Sequence, residues 1–297
     1  MTYSEITSNK RRTWVLVILM STLIIGLSWL IGLSSGLEPS ATIALGTIFA
    51  TIYSLISYYA SSSITLAVSG AKPIEKSQAP DLFNIVENLC IANGQPLPAI
   101  YIIEDRSPNA FATGRGPETA SIAFTTGILA LLDRKELEGV AAHELSHVKN
   151  YDIRVMTLVV VLVGCISLMA NILIHIRIRG DSKDNNLGLI FMIIGIVLAI
   201  LSPLIAELIQ LAVSRSREFL ADASGALLTR YPDGLASALQ KIENANIPLQ
   251  NPNPATAHLF LSNPFGATAE SRSFFRNLFA THPPIEERIK RLRSMGR

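Results

Sequence analysis

Four long apolar runs constrain this chain more than any other feature, because about 20 consecutive apolar residues span a hydrocarbon core. Trp14 to Leu33 is almost wholly apolar. After the turn-rich connector Ser34 to Ser40, Ala41 to about Ala60 forms a second run, with Tyr53, Tyr58 and Tyr59 as interfacial anchors. A cleaved signal peptide competes for the first run, but the run exceeds a typical signal core and another apolar run follows it. The two read as a transmembrane hairpin. Val155 to Ile176 and Leu187 to about Leu211 repeat the pattern around the polar turn Ile178–Asn186, and Pro203 is expected to kink the last run. Buried core helices are the alternative for this second pair. Its length and near absence of charge favour spans, while His175, Arg177 and Arg179 at its edge weigh against them.

The bulk numbers agree with a membrane part. Of 297 residues, 49% are apolar and only 16% charged, too oily for an ordinary soluble enzyme of this size. A net charge of +2, with no basic tract interleaved with aromatics, gives no expectation of nucleic acid. Cys90 and Cys165 are far apart and read as small apolar residues. Lys10, Arg11 and Arg12 precede the first run, Lys72 and Lys76 follow the second, and Arg215 and Arg217 follow the fourth. The positive-inside rule then puts the amino terminus and both polar parts in the cytoplasm. Arg177, Arg179 and Lys183 in the second connector run against that bias.

Between the pairs the composition turns globular. A helix is expected from Pro80 to about Ala92, closed by Asn93-Gly94, followed by strands at Ala99–Ile103, Asn109–Thr113 and Thr119–Thr125. Gly114 to Glu118 forms the turn between the last two. A helix then covers Arg134 to Asn150, with Asp133 as N-cap and Glu136 at capping-box spacing. It contains His143-Glu144-Leu145-Ser146-His147, a H-E-x-x-H motif. Residues four apart share a helix face, so both imidazoles can aim at one tetrahedral Zn²⁺. Glu144, directly after the first ligand, can then act as the acid/base that takes a proton from the attacking water. Two of only five histidines fall at this spacing, which argues against coincidence.

A catalytic zinc site needs a third protein ligand. His175, His258, His282 and the acids are the candidates. Glu218 is well placed, because the second hairpin returns it to the side where the motif helix begins, and Asp222 lies four residues on, where it could orient a ligand histidine. Read alone, that face fits ion pairs with Arg215 and Arg217 equally well or better. Further helices are expected over Ser214–Ala226, Tyr231–Ile242 and His282–Leu292, with a long loop from Asn244 to Ala269.

The order of His143-Glu-Leu-Ser-His147, a hydrophobic hairpin, Arg217-Glu-Phe-Leu-Ala-Asp222 and His282-Pro-Pro-Ile-Glu-Glu-Arg288 resembles the HtpX membrane metalloproteases, relatives of the CAAX prenyl endopeptidases. Asn109-Ala-Phe-Ala-Thr-Gly114 and the two opening runs share that resemblance, which covers nearly the whole chain. It implies that His143, His147 and Glu218 hold one Zn²⁺ per chain, that Glu144 is catalytic and that Asp222 supports a ligand. His282 would approach the metal or stabilise the transition state, with Arg217 as a second candidate for that role. Asn109, Ala110, Phe111 and Ala112 would form a sheet edge that pairs with an extended substrate backbone.

The expected fold is an α-helical membrane protein with four transmembrane helices in two hairpins and a cytoplasmic α+β zincin-like metalloprotease domain. Its parts are an amino-terminal hairpin over 1–70, a protease part with a small antiparallel sheet and the H-E-x-x-H helix over 71–154, a second hairpin over 155–212 and a helical cytoplasmic part over 213–297. The resemblance further implies a multi-pass protein of the bacterial inner membrane. It would be an endopeptidase cutting protein substrates, damaged membrane proteins among them, in a stress response. A processing protease for prenylated peptides, an inactive zinc-stabilised scaffold and a metal transporter are the rival readings. Intact Glu144 argues against the scaffold, and the scarcity of charge within the runs against the transporter.

Overall fold

The computed structural model describes residues 2–34, 37–164, 215–266 and 283–296. Most of the second expected hairpin, with Cys165, His175 and Pro203, lies outside the described residues, and so does His282.

Two long antiparallel-connected helices open the chain, α1 (Thr2–Ser34) and α2 (Pro39–Val68). The polar residues before Trp14 continue α1 rather than forming a separate tail. Pro39 occupies the first turn of α2, and the Glu38 side chain accepts from the Ala41 amide at 3.0 Å. Both helices are long and apolar enough to cross a membrane. The contact face of α2 is made mainly of small residues. The buried positions of α2 include Thr42, Gly46, Ala50, Ser57, Ser61 and Thr65, all small, while Ile18, Leu45, Ile48 and Phe49 are each more than half exposed. Helices solvated by lipid gain nothing by hiding large apolar groups from it, so small residues that allow close approach occupy the contact. A Cβ on Gly46 would stand 2.7 Å from the Ser28 Cβ, so this crossing needs the glycine. Ser21 and Ser54 hydroxyls meet at 3.0 Å across it, and Trp14 stacks on Tyr58.

The sheet has four strands in the order β1 (Lys72–Pro73), β2 (Ala99–Ile103), β4 (Ser121–Thr125), β3 (Ala110–Thr113). It is mixed, which corrects the antiparallel expectation. β3 and β4 form an antiparallel hairpin, but β4 lies parallel to β2, in register from Ala99↔Ser121 to Ile103↔Thr125. The two-residue side-chain period marks strands without giving their direction, and β1 is too short to leave such a pattern. Both faces of the sheet are covered. Ile100, Ala110, Ala112, Ile122 and Phe124 face one apolar core; Ile103, Phe111 and Ala123 face a second that includes Leu16, Met20 and Ile24 of α1. The hairpin is thus joined to the sheet by packing.

The first core is closed by α3 (Pro80–Asn93), α5 (Arg134–Lys149), α7 (Arg215–Thr229), α8 (Pro232–Ala245) and α9 (Ile285–Met295). The short α4 (Thr126–Leu131) links β4 to α5, and a helix here called α6 covers residues 152–164. α3 begins at Pro80 and ends at Gly94, whose φ of 65° is the left-handed cap that glycine accepts without strain. Val155, Leu158, Val159 and Leu162 of α6 are buried against the second core, so the opening of the third apolar run is packed inside the protein. Of the expected loop, residues 246–266 are irregular apart from a short turn at Ala257–Leu259. It runs beside β3, where the Leu261 amide donates to the Ala110 carbonyl at 3.2 Å.

Candidate metal centre

α5 carries the motif, and its start is fixed as the spacing predicts. The Asp133 carboxylate accepts from the Lys135 and Glu136 amides, and Glu136 accepts from the Asp133 amide, a reciprocal capping box. Glu136 also accepts from Lys241 Nζ at 2.7 Å and from the Ser237 hydroxyl, tying α8 to the head of α5. Two glycines let neighbouring helices press onto α5. A Cβ on Gly225 would lie 3.0 Å from the His143 amide nitrogen, and one on Gly139 would lie 2.7 Å from the Leu235 nitrogen. The first contact brings α7, with Glu218 and Asp222, against the face that bears both histidines.

His143 Nε2 and His147 Nε2 stand 3.2 Å apart. Glu218 completes a triangle, with Oε1 at 3.4 Å from His147 Nε2 and Oε2 at 3.8 Å from His143 Nε2. Tetrahedral zinc with bonds of about 2.0–2.1 Å requires ligand atoms about 3.3 Å apart. The three side chains fit that requirement, and all are buried. Each outward nitrogen is held by a carboxylate: His143 Nδ1 lies 3.0 Å from Asp222 Oδ1, and His147 Nδ1 lies 3.0 Å from Asp152 Oδ2. A proton on each Nδ1, donated to its carboxylate, leaves the Nε2 lone pair of both rings pointing at the shared space. Two lone pairs facing each other beside a carboxylate repel unless a cation lies between them. The residues fit a divalent ion.

Four buried carboxylates, Glu144, Asp152, Glu218 and Asp222, and two buried guanidiniums, Arg217 and Arg288, gather around the two histidines. Burial pushes the Glu144 carboxyl above its ordinary range, offset in part by both imidazoles and reinforced by Glu218. His147 lies well above the usual imidazole value although burial opposes it, because Asp152 and Glu218 outweigh that penalty. Burial likewise opposes the Asp222 carboxylate, but Arg288 holds it down at about 2.

Arg288 was not anticipated. Its Nε and Nη2 reach the two Asp222 oxygens at 2.8 and 2.7 Å, a bidentate pair, and Nη1 lies 3.7 Å from Glu218. The sequence did hold a signal. Ile285, Ile289 and Leu292 form the apolar stripe of α9, and Arg288 falls on that stripe at the i+3 position. Asp152, five residues after His147, was also missed. Such an acid has no helical spacing to mark it, since a turn at Asn150–Tyr151 separates α5 from α6.

Of the four residues expected along a substrate edge, Ala112 of β3 is the one whose backbone amide favours the charged form of the Glu144 carboxylate. The Asn109 carboxamide bonds the Ser262 backbone and hydroxyl, the Ala110 carbonyl takes Leu261, and Phe111 packs edge-on against Phe260 in the second core. Arg217 Nη1 lies 3.5 Å from Asp152.

Residues 76–296 match the model of Peptidase family M48. The chain belongs to that family. This M48 peptidase is 45% identical over 296 residues to a Protease HtpX homolog of Tropheryma whipplei strain Twist, covering 100% of this chain and 99% of the relative. It is 44% identical over 302 residues to one from Dictyoglomus thermophilum and 40% identical over 306 residues to one from Streptococcus gordonii. Those alignments cover 99% of this chain, and 95% and 100% of the respective relatives. The crystal structure of S. mikatae Ste24p is similar in fold, with a TM-score of 0.50 at 18% identity, over 98% of this chain and 67% of that one. The HtpX resemblance read from the motifs is borne out, and this M48 chain is a membrane metalloprotease.

Proposed function

We propose that this chain is a zinc endopeptidase in which His143, His147 and Glu218 hold one Zn²⁺ and Glu144 moves the protons of peptide hydrolysis. The convergence of two imidazole lone pairs and one carboxylate at tetrahedral spacing carries this reading. Two nitrogens and one oxygen form a donor set of the kind zinc takes in catalytic sites. When bound, the ion supplies Lewis acidity that polarises the scissile carbonyl and eases loss of a proton from water.

The chain's own groups do the rest. Asp222 and Asp152 keep both rings in the tautomer whose Nε2 can act as a ligand. The Ala112 amide of the β3 edge favours the Glu144 carboxylate, so a peptide lying along that edge meets the group that takes a proton from the attacking water. Glu144 then returns the proton to the departing amine. The elevated affinity of Glu144 for protons, caused by burial, suits a group that must accept one near neutral pH. A substrate strand reaching the Asn109–Ala110 end must share the edge with Leu261 and Ser262, so productive pairing centres on Ala112. His282 stays the first candidate for holding the oxyanion, with Arg217 second.

The finer placement follows the charge bias of the sequence. Four spans, a cytoplasmic site, a bacterial inner membrane and damaged membrane proteins as substrates form one reading. It is supported by Lys10, Arg11 and Arg12 ahead of the apolar run of α1 and by the HtpX relatives. The parts 1–70, 71–154, 155–212 and 213–297 serve as the working division.

Purified protein carrying Glu144→Gln should retain zinc at one per chain and lose casein cleavage by about a hundred- to ten-thousandfold. His147→Ala should lose the metal itself. Cleavage that survives Glu144→Gln, or that ignores chelator in the wild type, rejects the assignment.

A further inference from the structure

Asn9 is a fully buried polar residue in the first turns of the first membrane helix, 134 positions before the motif. Its amide Nδ2 donates to Asp152 Oδ1 at 2.7 Å and to the Asn150 carbonyl at 2.9 Å. Asn150 is the C-cap of α5, and Asp152 is the carboxylate that meets His147 Nδ1. One amide therefore grips both the end of the motif helix and the acid that orients a ligand. The competing donor on Asp152 Oδ1 is weaker, because Arg217 Nη1 stands 3.5 Å away.

The two histidines differ in what supports them. The partner of His143, Asp222, is fixed by the bidentate Arg288, so that support lies wholly within the helices of the catalytic part. The partner of His147, Asp152, takes its short hydrogen bond from the membrane hairpin. We propose that Asn9 is a positioning residue of the metal centre: through Asp152 it sets the orientation of His147, so the seating of the first membrane helix controls how tightly the ion is held. This rests on the reading that His143, His147 and Glu218 bind the ion. The physical reason is that an outer carboxylate positions its histidine only while its own second oxygen is held, and removing such partners weakens metal affinity.

The test uses the full-length protein in detergent micelles. Zinc affinity is measured by chelator competition, and the visible spectrum of the cobalt-substituted protein reports ligand geometry without reference to turnover. Asn9→Leu removes the donor at similar volume. Asn9→Ala does so without adding bulk, should the first variant fail to fold. Both should weaken zinc binding about ten- to a hundredfold and change the cobalt spectrum. Asp152→Asn should reproduce the effect, and the double variant with Asn9→Ala should be little worse than Asp152→Asn alone, because the two act through one link. Thr13→Val is the structural control. It removes a buried helix bond of the same helix, from the Thr13 hydroxyl to the Asn9 carbonyl, without touching Asp152, and should leave affinity and spectrum unchanged. Wild-type affinity and spectrum in whichever Asn9 variant folds overturn the proposal, as does a Thr13→Val effect of equal size. Glu218→Gln separates the two readings: if it binds zinc as the wild type does, the metal assignment itself fails.

Discussion

The second helix α2 and the sheet-backed core obey opposite packing rules within one chain. In α2 the small residues Gly46, Ala50 and Ser57 are buried and Phe49 faces outward, whereas in β4 Ile122 and Phe124 are fully buried. The contrast identifies the solvent of each part. Where lipid surrounds a helix, apolar burial yields little and close contact decides; where water surrounds the fold, large apolar side chains must be removed from it. The difference also locates the metal centre, which lies on the core side, although Asn9 lends it a hydrogen bond from the hairpin side.

Several substitutions would break or sharpen this comparison. The largest effect on the core side should come from Arg288→Met, which strands Asp222 as a buried anion and should destabilise the protein by about 3–5 kcal/mol. Adding Asp222→Asn should recover part of that loss in a chemical-denaturation series. Phe124→Ala should cost about 3–5 kcal/mol, while Phe49→Ala, more than half exposed on α2, should change stability by less than about 0.5 kcal/mol. Equal losses at the two phenylalanines would erase the distinction between the regions.

Helix crossings give the next contrast. Gly225→Val forces a side chain against the His143 backbone and should cost about 1–3 kcal/mol together with metal retention. Gly46→Val, where the new atoms meet Ser28, should loosen the hairpin, measured by cross-linking between α1 and α2, and leave zinc stoichiometry intact. The smallest effect concerns Cys90, whose thiol is pushed up to about 11, mainly by burial. Its folded value lies above the ordinary value near 9.0, so its contribution to stability is complete below about pH 9 and lost as pH rises through 11. Cys90→Ala should therefore reduce stability more at pH 8 than at pH 11. Alkylation of Cys90 in the folded protein, followed by mass spectrometry, should be slow at pH 8.

Much of the site was legible because its parts obey short-range rules. The i, i+4 spacing of His143 and His147, the Asp133–Glu136 capping box and the Pro80-to-Gly94 helix each follow from one turn of backbone geometry. Even Glu218, 71 positions beyond His147, was recoverable from motif order, though the residues alone fitted surface ion pairs as well. Arg288 was recoverable in principle, since a cation on an apolar stripe signals a buried partner. The parallel pairing of β2 with β4 was not, because alternation gives faces and not directions.

The sequence by itself determined that the two opening helices are long and apolar enough to cross a membrane, where the motif helix begins and which two rings share a face, since composition and helical period act over about 20 residues or fewer. Only the tertiary structure decided that Asn9 and Arg288, from the two ends of the chain, close around the same pair of histidines. Those contacts span 143 and 66 positions, and a single hydrogen bond between distant residues leaves no periodic trace in either stretch.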